Sequence, residues 1–199
     1  MIDWERVVDE AEVVGMAAEW GEPVREHVGL QIRREFWEAW GERWPGWHRE
    51  VMFLLPRPGG LLLHRKAHYP PDGWRLPTGG IEPNERVREA IMREPVEEVG
   101  LALPVRRYVA LLTYQMECEH EIFRCATHIF LLPFSDEPLQ PSHDGEIEAT
   151  KTAPLNTLAA VADQLERLDS PWHDWGRFRA IAHRVVQAHV QPDELDRRS

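Results

Sequence analysis

The sequence predicts a mixed α/β sandwich that carries helical segments at both ends of the chain. Three observations support this prediction: the first segment has a helical pattern, the middle has several β-type runs around one helix, and the end is helical again. Since the strands do not alternate regularly with helices, a layered fold is favoured over a repeated β-α-β array. The chain of 199 residues is long enough for one domain with a proper core and an appended subdomain.

The first segment, residues 3 to about 47, is predicted to be helical and is rich in tryptophan. Four tryptophans recur at spacings of three and four residues, with Phe36 and Ile32 nearby; they are Trp37, Trp40, Trp44 and Trp47. The simpler interpretation is a stripe that packs on a core, and the alternative is a homodimer surface or a cap that stacks on a substrate base. Pro45 and Gly46 interrupt the pattern and predict a boundary.

The central segment is predicted to hold the strands. Two β-type runs in EVMFLLPRPGGLLLHRKAHYP are joined by RPGG, and YPPDGWRLPTGG is typical of a loop. Residues 84 to 99 are predicted to form a helix with Asn84 as its N-cap. Two long strands, VRRYVALLTYQME and EIFRCATHIFLLPF, are predicted to follow on either side of a short acidic turn, and EIEATKTAP predicts one more strand.

The end of the chain is predicted to be helical. NTLAAVADQLERL has an apolar helical period, and a longer helix is predicted to begin with Ser170 as N-cap and Pro171 as its first residue. We therefore expect three parts: a helical Trp-rich N-terminal extension (residues 1–47), a central domain (residues 48–160), and C-terminal helices that pack on it (residues 161–199).

The composition excludes several classes of function. A net charge of -11 argues against a broad nucleic-acid surface, although an acidic chain can bind a small polyphosphate when a divalent cation bridges the like charges. No apolar run reaches the length of a membrane span, and the acidic N-terminus does not resemble a secretory signal, so we expect a cytoplasmic protein without a membrane partner. The 21 arginines against two lysines suggest a GC-rich bacterial genome.

Two cysteines and two histidines raise the alternative of a zinc site. Cys118, His120, Cys125 and His128 lie close together in the sequence. The segment is predicted to be extended, so that residues 125 and 128 face opposite sides of the strand. Two apolar core cysteines and two unrelated histidines are therefore the favoured interpretation.

The stretch GGIEPNERVREAIMREPVEEVGL, residues 79 to 101, carries the strongest chemical signal. On a helix, Glu94, Glu97 and Glu98 lie on neighbouring ridges, within about 6 Å of each other. Three clustered carboxylates repel one another unless a cation neutralises them, and hard oxygen ligands favour Mg²⁺ or Mn²⁺. A solvated charged face is the general alternative for such a helix.

This stretch resembles the Nudix box of the Nudix hydrolase superfamily. The family's fixed positions are matched at the correct spacing by Gly79, Glu85, Arg93, Glu94, Glu97, Glu98 and Gly100. With the flanking strands, the resemblance covers roughly residues 48 to 160. It implies an α/β/α sandwich with a mixed sheet, and hydrolysis of a nucleoside diphosphate linked to another group by attack of water on a phosphorus.

The resemblance also implies roles for residues of the box. Glu97 and Glu98 are expected to bind the metal ion, Mg²⁺ or Mn²⁺, and Glu94 is either a further ligand or the base that activates water. The backbone carbonyl of Thr78 is another candidate ligand. Glu146 is the candidate for the additional glutamate that the family recruits from beyond the box, with Glu119 and Glu121 as its alternatives.

Other residues near the box are candidates for positioning and for substrate binding. Arg93 cannot bind a cation and is expected to pair with a carboxylate of the box, with Glu85 as the candidate. Gly79 and Gly80 allow the loop backbone to approach the metal ion or the phosphates closely. Basic side chains that could contact substrate phosphate are Arg65, Lys66 and Arg75, and ordinary surface charge is their alternative.

Three residues depart from the family's pattern. Thr78 and Asn84 replace glycines that are common there. Pro95 stands where an aliphatic residue is usual, and its ring removes one helix hydrogen bond and crowds the carbonyl of Ile91, at a cost of about 3 kcal/mol in a regular helix. Because a proline also biases the preceding residue away from helical geometry, Glu94 is the carboxylate most at risk, although a kinked helix would preserve all three.

The sequence leaves the substrate unassigned. Positions 116 to 119, where some Nudix subfamilies carry a marker proline or tyrosine, read MECE, and the array of NADH-directed members is absent. Candidate aromatic residues for stacking on a base are Trp74, Tyr69, Tyr114 and Phe123, with core packing as an equal alternative. The rival function is a catalytically weak or inactive Nudix-fold protein that senses a nucleotide, which gains support if Pro95 displaces Glu94 from the other two glutamates.

Overall fold

The structure, a computed structural model, describes residues 4–41, 47–140 and 147–196. Its helices are α1 (Glu10–Trp20), α2 (Arg34–Gly41), α3 (Val87–Val99), α4 (Leu158–Glu166), α5 (His173–His189) and α6 (Pro192–Leu195). Its strands are β1 (Val24–Gln31), β2 (Trp47–Leu54), β3 (Pro56–Arg57), β4 (Gly60–Lys66), β5 (Thr78–Gly80), β6 (Arg107–Cys118), β7 (Glu121–Leu131) and β8 (Ile147–Ala153). None of the described helices combines the length and the apolar character that crossing a lipid bilayer requires.

The strands form two sheets. The larger sheet has the order β1-β6-β7-β2-β5 and is mixed, because β1 runs parallel to β6 and β2 parallel to β7, whereas its other pairs are antiparallel. The smaller sheet has the order β3-β4-β8 and is antiparallel. The mixed sheet and the helices at both ends confirm the predicted fold class, and the predicted strands of the central segment are present.

Alternate residues of β2 face two different cores. Val51 and Phe53 pack with apolar residues of α1 and α3, whereas Met52 and Leu54 pack with apolar residues of α4 and α5. This alternation follows from the two-residue period of a strand, which sends successive side chains to opposite faces. The larger sheet is therefore covered on both faces, which makes the fold an α/β/α sandwich.

The N-terminal segment differs from the predicted continuous helix. Residues Val24–Gln31 form β1, an edge strand that pairs in parallel with β6, from Val24 opposite Ala110 to Gln31 opposite Glu117. The helical prediction followed the tryptophan spacing, whereas the strand VREHVGLQ largely alternates between half-buried and exposed residues. The prediction is wrong for residues 24–31, because pairing with a distant strand decides their conformation. The division of the chain at residue 47 remains a prediction.

The aromatic stripe lies partly within the described residues. In α2, Phe36 is buried and Trp37 packs against the core on the α5 side of the sheet. This contact agrees with the interpretation of the stripe as core packing. The side chains of Trp40, Trp44 and Trp47 lie outside the described part of the structure, and the alternative of a dimer surface stays a prediction.

Two helices begin later than predicted. Asn84 is not the N-cap of α3: it has a φ of 68°, and the carboxylate of Glu89 instead accepts the N–H of Arg86 at 2.9 Å. Asn84 thus supplies the left-handed conformation that a glycine would otherwise adopt. Likewise α5 begins at His173 and not at Ser170, because the N–H of Trp172 closes a turn with the carbonyl of Asp169 at 2.8 Å.

The two cysteines and His128 lie on opposite faces of the larger sheet. Cys118 and Cys125 are free and buried in the core on the α5 side. His128 faces the other way, and its Nδ1 lies 2.6 Å from the hydroxyl of Tyr108. The favoured interpretation of these residues as unrelated to zinc therefore agrees with their positions.

Candidate active site

Helix α3 carries the three glutamates of the box, and Pro95 does not interrupt it. The helix runs from Val87 to Val99 with Pro95 buried inside it. The proline ring leaves the carbonyl of Ile91 without its helical donor. Apolar side chains on both sides of this break, including Val87, Ile91 and Val99, are buried in one core and hold the helix together across it.

Strand β5 places Gly79 directly against Glu94. In the β2–β5 pair, Gly79 lies opposite Val51, whose side chain faces the core beneath α3. A Cβ atom at position 79 would lie 1.6 Å from Cδ of Glu94. Position 79 therefore requires glycine for steric reasons as long as Glu94 occupies this place, and Pro95 has not moved Glu94 away from the loop.

Arg93 is the centre of an ion-pair network in the box. Its Nε and Nη2 donate to the two carboxylate oxygens of Glu85, each at 2.8 Å, which is the pair predicted from the sequence. Its Nη1 donates to both Glu94 and Glu97 at 2.7 Å, and Nη2 also reaches the carbonyl of Gly80 at 3.0 Å. One planar guanidinium thus fixes Glu94 and Glu97 relative to the loop.

Glu98 faces a different set of groups on β4. Its carboxylate lies 3.2 Å from Nζ of Lys66 and 3.0 Å from Nδ1 of His64. The second contact is not a well-aligned hydrogen bond, and within the described part of the chain neither Oε2 of Glu98 nor either ring nitrogen of His64 has another partner. Glu98 therefore keeps one buried oxygen without a hydrogen bond.

The two buried glutamates have opposite pKa shifts. Burial raises the pKa of Glu94 to about 7 against the pull of Arg93, and the charges of Glu98 and Glu97 add to the increase. Burial would also raise the pKa of Glu98, but His64, Lys66 and Arg75 outweigh it and lower the pKa to about 2. Negative charge is therefore compensated at Glu98 and incompletely compensated at Glu94.

The donor chemistry of these residues fits a divalent cation. Glu94, Glu97 and Glu98 supply carboxylate oxygens, one of which is buried without a hydrogen bond, and hard cations such as Mg²⁺ prefer oxygen ligands. Their present partners are Arg93, Lys66 and His64. Because the carboxylates point to these partners, the described residues contain no group of three or more His, Cys, Asp or Glu side chains that is already arranged to hold a metal ion.

Arg75 is buried within the loop that leads into β5. Its side chain is only 2% exposed, and it donates to the carbonyl of Leu76, to Oγ1 of Thr78 and to the hydroxyl of Tyr69. Its guanidinium is enclosed by the loop that it supports, and direct contact with phosphate stays a prediction for this residue. Arg75 fixes Thr78.

The other candidates are scattered. Arg65 pairs with Glu148 and with the carbonyl of Pro71, whereas Lys66 lies in the site through its contact with Glu98. Glu146 lies outside the described residues. Its alternatives, Glu119 and Glu121, are exposed, and both pair with Arg34 at the β6–β7 turn.

Most of the aromatic residues that were candidates for stacking on a base are packed in the core. Tyr69, Tyr114 and Phe123 are buried in the core on the α5 side. Trp74 is half-buried, and the charged ends of Arg65 and Lys151 lie against its ring at 5.3 and 4.3 Å from the centroid.

Two histidines that were not predicted as site residues contact the site. His64 is enclosed between β4 and Glu98, and His183 of α5 accepts the backbone N–H of Leu76 at 3.1 Å. The pattern LLLHRK, in which a histidine follows three buried residues of a strand, was the available hint for His64. His183 lies more than 80 residues beyond the box, in a helix without a recognisable motif, and only the tertiary structure reveals its contact.

Comparison with known protein families gives one match over most of the chain. A family model described as the NUDIX domain matches residues 46–176, which include every described residue of the site except His183. This range begins close to the predicted boundary at residue 48 and extends beyond residue 160 into α5.

The individual relatives match either a short stretch of this chain or a longer stretch at low identity. The RNA pyrophosphohydrolase of Coxiella burnetii is 49% identical over 51 residues, which are 26% of this chain and 22% of the relative. The NAD-capped RNA hydrolase NudC of Chromobacterium violaceum is 25% identical over 137 residues, 69% of this chain and 44% of the relative. The chain thus spans less than half the length of these curated relatives. Among solved structures, the MutT NUDIX hydrolase from Burkholderia pseudomallei is 21% identical with a TM-score of 0.48, over 73% of this chain and 98% of that one.

Proposed function

This chain belongs to the Nudix family, and on that premise we propose that it hydrolyses the diphosphate linkage of a nucleoside diphosphate derivative with the aid of Mg²⁺ or Mn²⁺. One observation carries the proposal. Glu94 remains packed on Gly79 and shares Nη1 of Arg93 with Glu97, so the box keeps its geometry in spite of Pro95.

The residues of the box divide into metal ligands and supports. We assign Glu97 and Glu98 as ligands of the cation, Glu94 as a further ligand or as the base that takes a proton from water, and the carbonyl of Thr78 as an additional candidate. When bound, the cation would neutralise charge on the diphosphate and lower the pKa of a water molecule. Arg93, held by Glu85, orients the carboxylates.

Substrate phosphates are proposed to lie beside the loop. The backbone of Gly79 and Gly80 and the ammonium group of Lys66 are the candidates for contact, since Lys66 already lies 3.2 Å from Glu98. Arg65 is a weaker candidate because it pairs with Glu148. Glu146 remains a candidate for a further catalytic carboxylate.

The substrate class is proposed only as nucleotide-derived. The curated relatives include an RNA pyrophosphohydrolase and a NAD-capped RNA hydrolase, so capped and triphosphorylated RNA ends belong in the test together with small nucleotides. A net charge of -11 favours a small molecule over a long nucleic acid. We also propose a cytoplasmic protein, and sedimentation of the full chain would show whether it forms the homodimer that the Trp-rich stripe suggests.

A substrate screen tests the proposal. The protein is incubated with nucleoside diphosphate sugars, dinucleotides, nucleoside triphosphates and RNA 5′ ends in the presence of Mg²⁺ or Mn²⁺. We expect turnover of at least one class, and a large loss in Glu97→Gln and Glu98→Gln. Glu89→Gln, an exposed glutamate of the same helix, is the control and should remain active. Absence of turnover on every substrate, or unchanged turnover in the two ligand variants, would defeat the proposal.

The rival hypothesis of a nucleotide sensor loses its main argument. It requires that Pro95 displace Glu94 from the other glutamates, whereas α3 is continuous and Glu94 contacts the loop. The sensor would still be supported by tight nucleotide binding, measured by calorimetry, in a protein without turnover.

A further inference from the structure

Leu76, which precedes β5, is bound by α5, on the face of the larger sheet opposite to α3. The backbone N–H of Leu76 donates to Nε2 of His183, a residue of α5, at 3.1 Å. Leu76 and His183 are both completely buried, so water cannot replace this bond. A buried N–H without an acceptor is destabilising, which makes the histidine acceptor important for the placement of Leu76.

The ring of His183 is itself fixed in the form that can accept. Its Nδ1 lies 2.9 Å from the carbonyl of Arg179, one turn earlier in α5, and a carbonyl can only accept, so the proton lies on Nδ1 and Nε2 carries the lone pair. Burial lowers the pKa of His183 to about 4, which keeps the ring neutral. Arg179 is anchored in turn by its ion pair with Glu50 of β2 at 2.5 Å.

The next residues transmit this position to the box. Arg75 donates to the carbonyl of Leu76 and to Oγ1 of Thr78, at 3.0 and 2.6 Å, and so joins the two residues rigidly. Thr78 is followed by Gly79, whose Cα faces the carboxylate of Glu94 without room for a methyl group. A shift of Leu76 therefore moves the residues that face Glu94.

We propose that His183 is a positioning residue of the active site: by holding the N–H of Leu76, it fixes the backbone of Thr78–Gly80 relative to Glu94. This inference rests on the proposed function. It extends the active site to α5, which lies outside the box.

Two substitutions of His183 separate its hydrogen bond from its volume. His183→Leu fills the space without an acceptor, whereas His183→Gln retains an oxygen near the place of Nε2. In His183→Leu we expect kcat to fall by about 100-fold with KM nearly unchanged, since a misplacement of about 1 Å has effects of that size. We also expect weaker Mn²⁺ binding, measured by electron paramagnetic resonance, and recovery of most of both losses in His183→Gln.

The control is His128→Leu, which changes a second buried histidine whose contact is with Tyr108. It should lower the melting temperature comparably and leave kcat and Mn²⁺ binding near the wild-type values. A folded His183→Leu protein with wild-type kcat, or an equal loss of kcat in His128→Leu, would overturn the inference. Wild-type protein without turnover would instead contradict the proposed function, so the two failures are distinguishable.

A measurement on the unmodified protein covers the case in which the variants do not fold. Amide hydrogen exchange at Leu76, followed by NMR, should be as slow as in the core strands, and the ring nitrogens of His183 should show a protonated Nδ1 and an unprotonated Nε2. Rapid exchange at Leu76, or the opposite tautomer, would contradict the role of His183.

Discussion

At the scale of single residues, Gly79 shows how the box is enforced by space. Its neighbour is the carboxylate of Glu94, which a Cβ atom at position 79 would overlap. Glycine is required here by close approach and not by an unusual φ, since the described residues with positive φ do not include Gly79. The sequence predicted a glycine that lets groups approach closely, but it could not identify Glu94 as the neighbour.

Gly79→Ala should reduce activity sharply while the protein remains folded. The added methyl group would overlap the end of the Glu94 side chain and displace it, so we expect kcat to fall by about 100-fold or more. The measurement is steady-state turnover of the best substrate from the screen. Gly15→Ala, in α1, is the control because no atom beyond its chain neighbours and its own helix backbone lies within 4 Å of the added methyl group. Equal activities of the two variants would contradict this account.

Two of the buried histidines, His128 and His183, predict how stability depends on pH. Burial lowers the pKa of His128 to about 3 and of His183 to about 4, from an ordinary value near 6.5. Above pH 6.5 both are neutral in the folded and unfolded states. Below pH 6.5 the two histidines bind protons in the unfolded chain but stay neutral in the folded protein. Stability therefore falls as the pH drops from 6.5 towards 4.

We expect each of these histidines to contribute a loss on the order of 3 kcal/mol over that range. Urea unfolding at pH 7 and at pH 5 measures the loss, and His183→Gln should show a smaller difference between the two conditions than the wild type. An identical pH dependence in the variant would show that His183 is not the group responsible.

At the scale of elements, α3 tolerates a proline because its packing does not depend on one hydrogen bond. Pro95 removes the donor to Ile91, yet the ring is buried and the helix ends normally at Gly100, which has a φ of 76°. The sequence predicted this helix and the strands around it from periodicity. It failed at β1, whose conformation comes from pairing with β6, and at the start of α5, where a local turn replaces the expected cap.

Pro95→Ala should stabilise the protein. The substitution restores the bond to Ile91 and removes a cost of about 3 kcal/mol, whereas the loss of a small buried ring costs roughly 1–2 kcal/mol. We therefore expect a net gain of about 1 kcal/mol in the free energy of unfolding, measured by urea denaturation, and unchanged kcat. A loss of stability would indicate that the helix has adapted to the proline.

At the scale of the whole molecule, one buried ion pair joins α5 to the larger sheet. Glu50 of β2 lies 2.5 Å from Nη1 of Arg179 and also accepts the hydroxyl of Thr127 at 2.7 Å. Burial would raise the pKa of Glu50, but Arg179 and His48 hold it well below its ordinary value, so the pair is charged. The sequence pattern does not predict this pair, because its two members lie 129 positions apart and each is a single residue in an apolar face.

Arg179→Met should be strongly destabilising. It leaves Glu50 buried without its counter-charge, which costs about 3–5 kcal/mol in comparable sites. The double variant Glu50→Gln with Arg179→Met should recover much of that loss, because it no longer buries an unpaired charge. Thermal and urea unfolding of the single and double variants provide the measurement, and a double variant as unstable as the single one would contradict the explanation.

The hydrogen bond between Leu76 and His183 of α5 bears on the shortest segment of this chain that we expect to be active. A protein trimmed after residue 160, the limit suggested by the motif and its flanking strands, would keep every carboxylate of the box. It would also leave the N–H of Leu76 and the carboxylate of Glu50 facing the space where α5 had been. We therefore expect the catalytic unit to be longer than the motif that identifies it and to extend at least through His183.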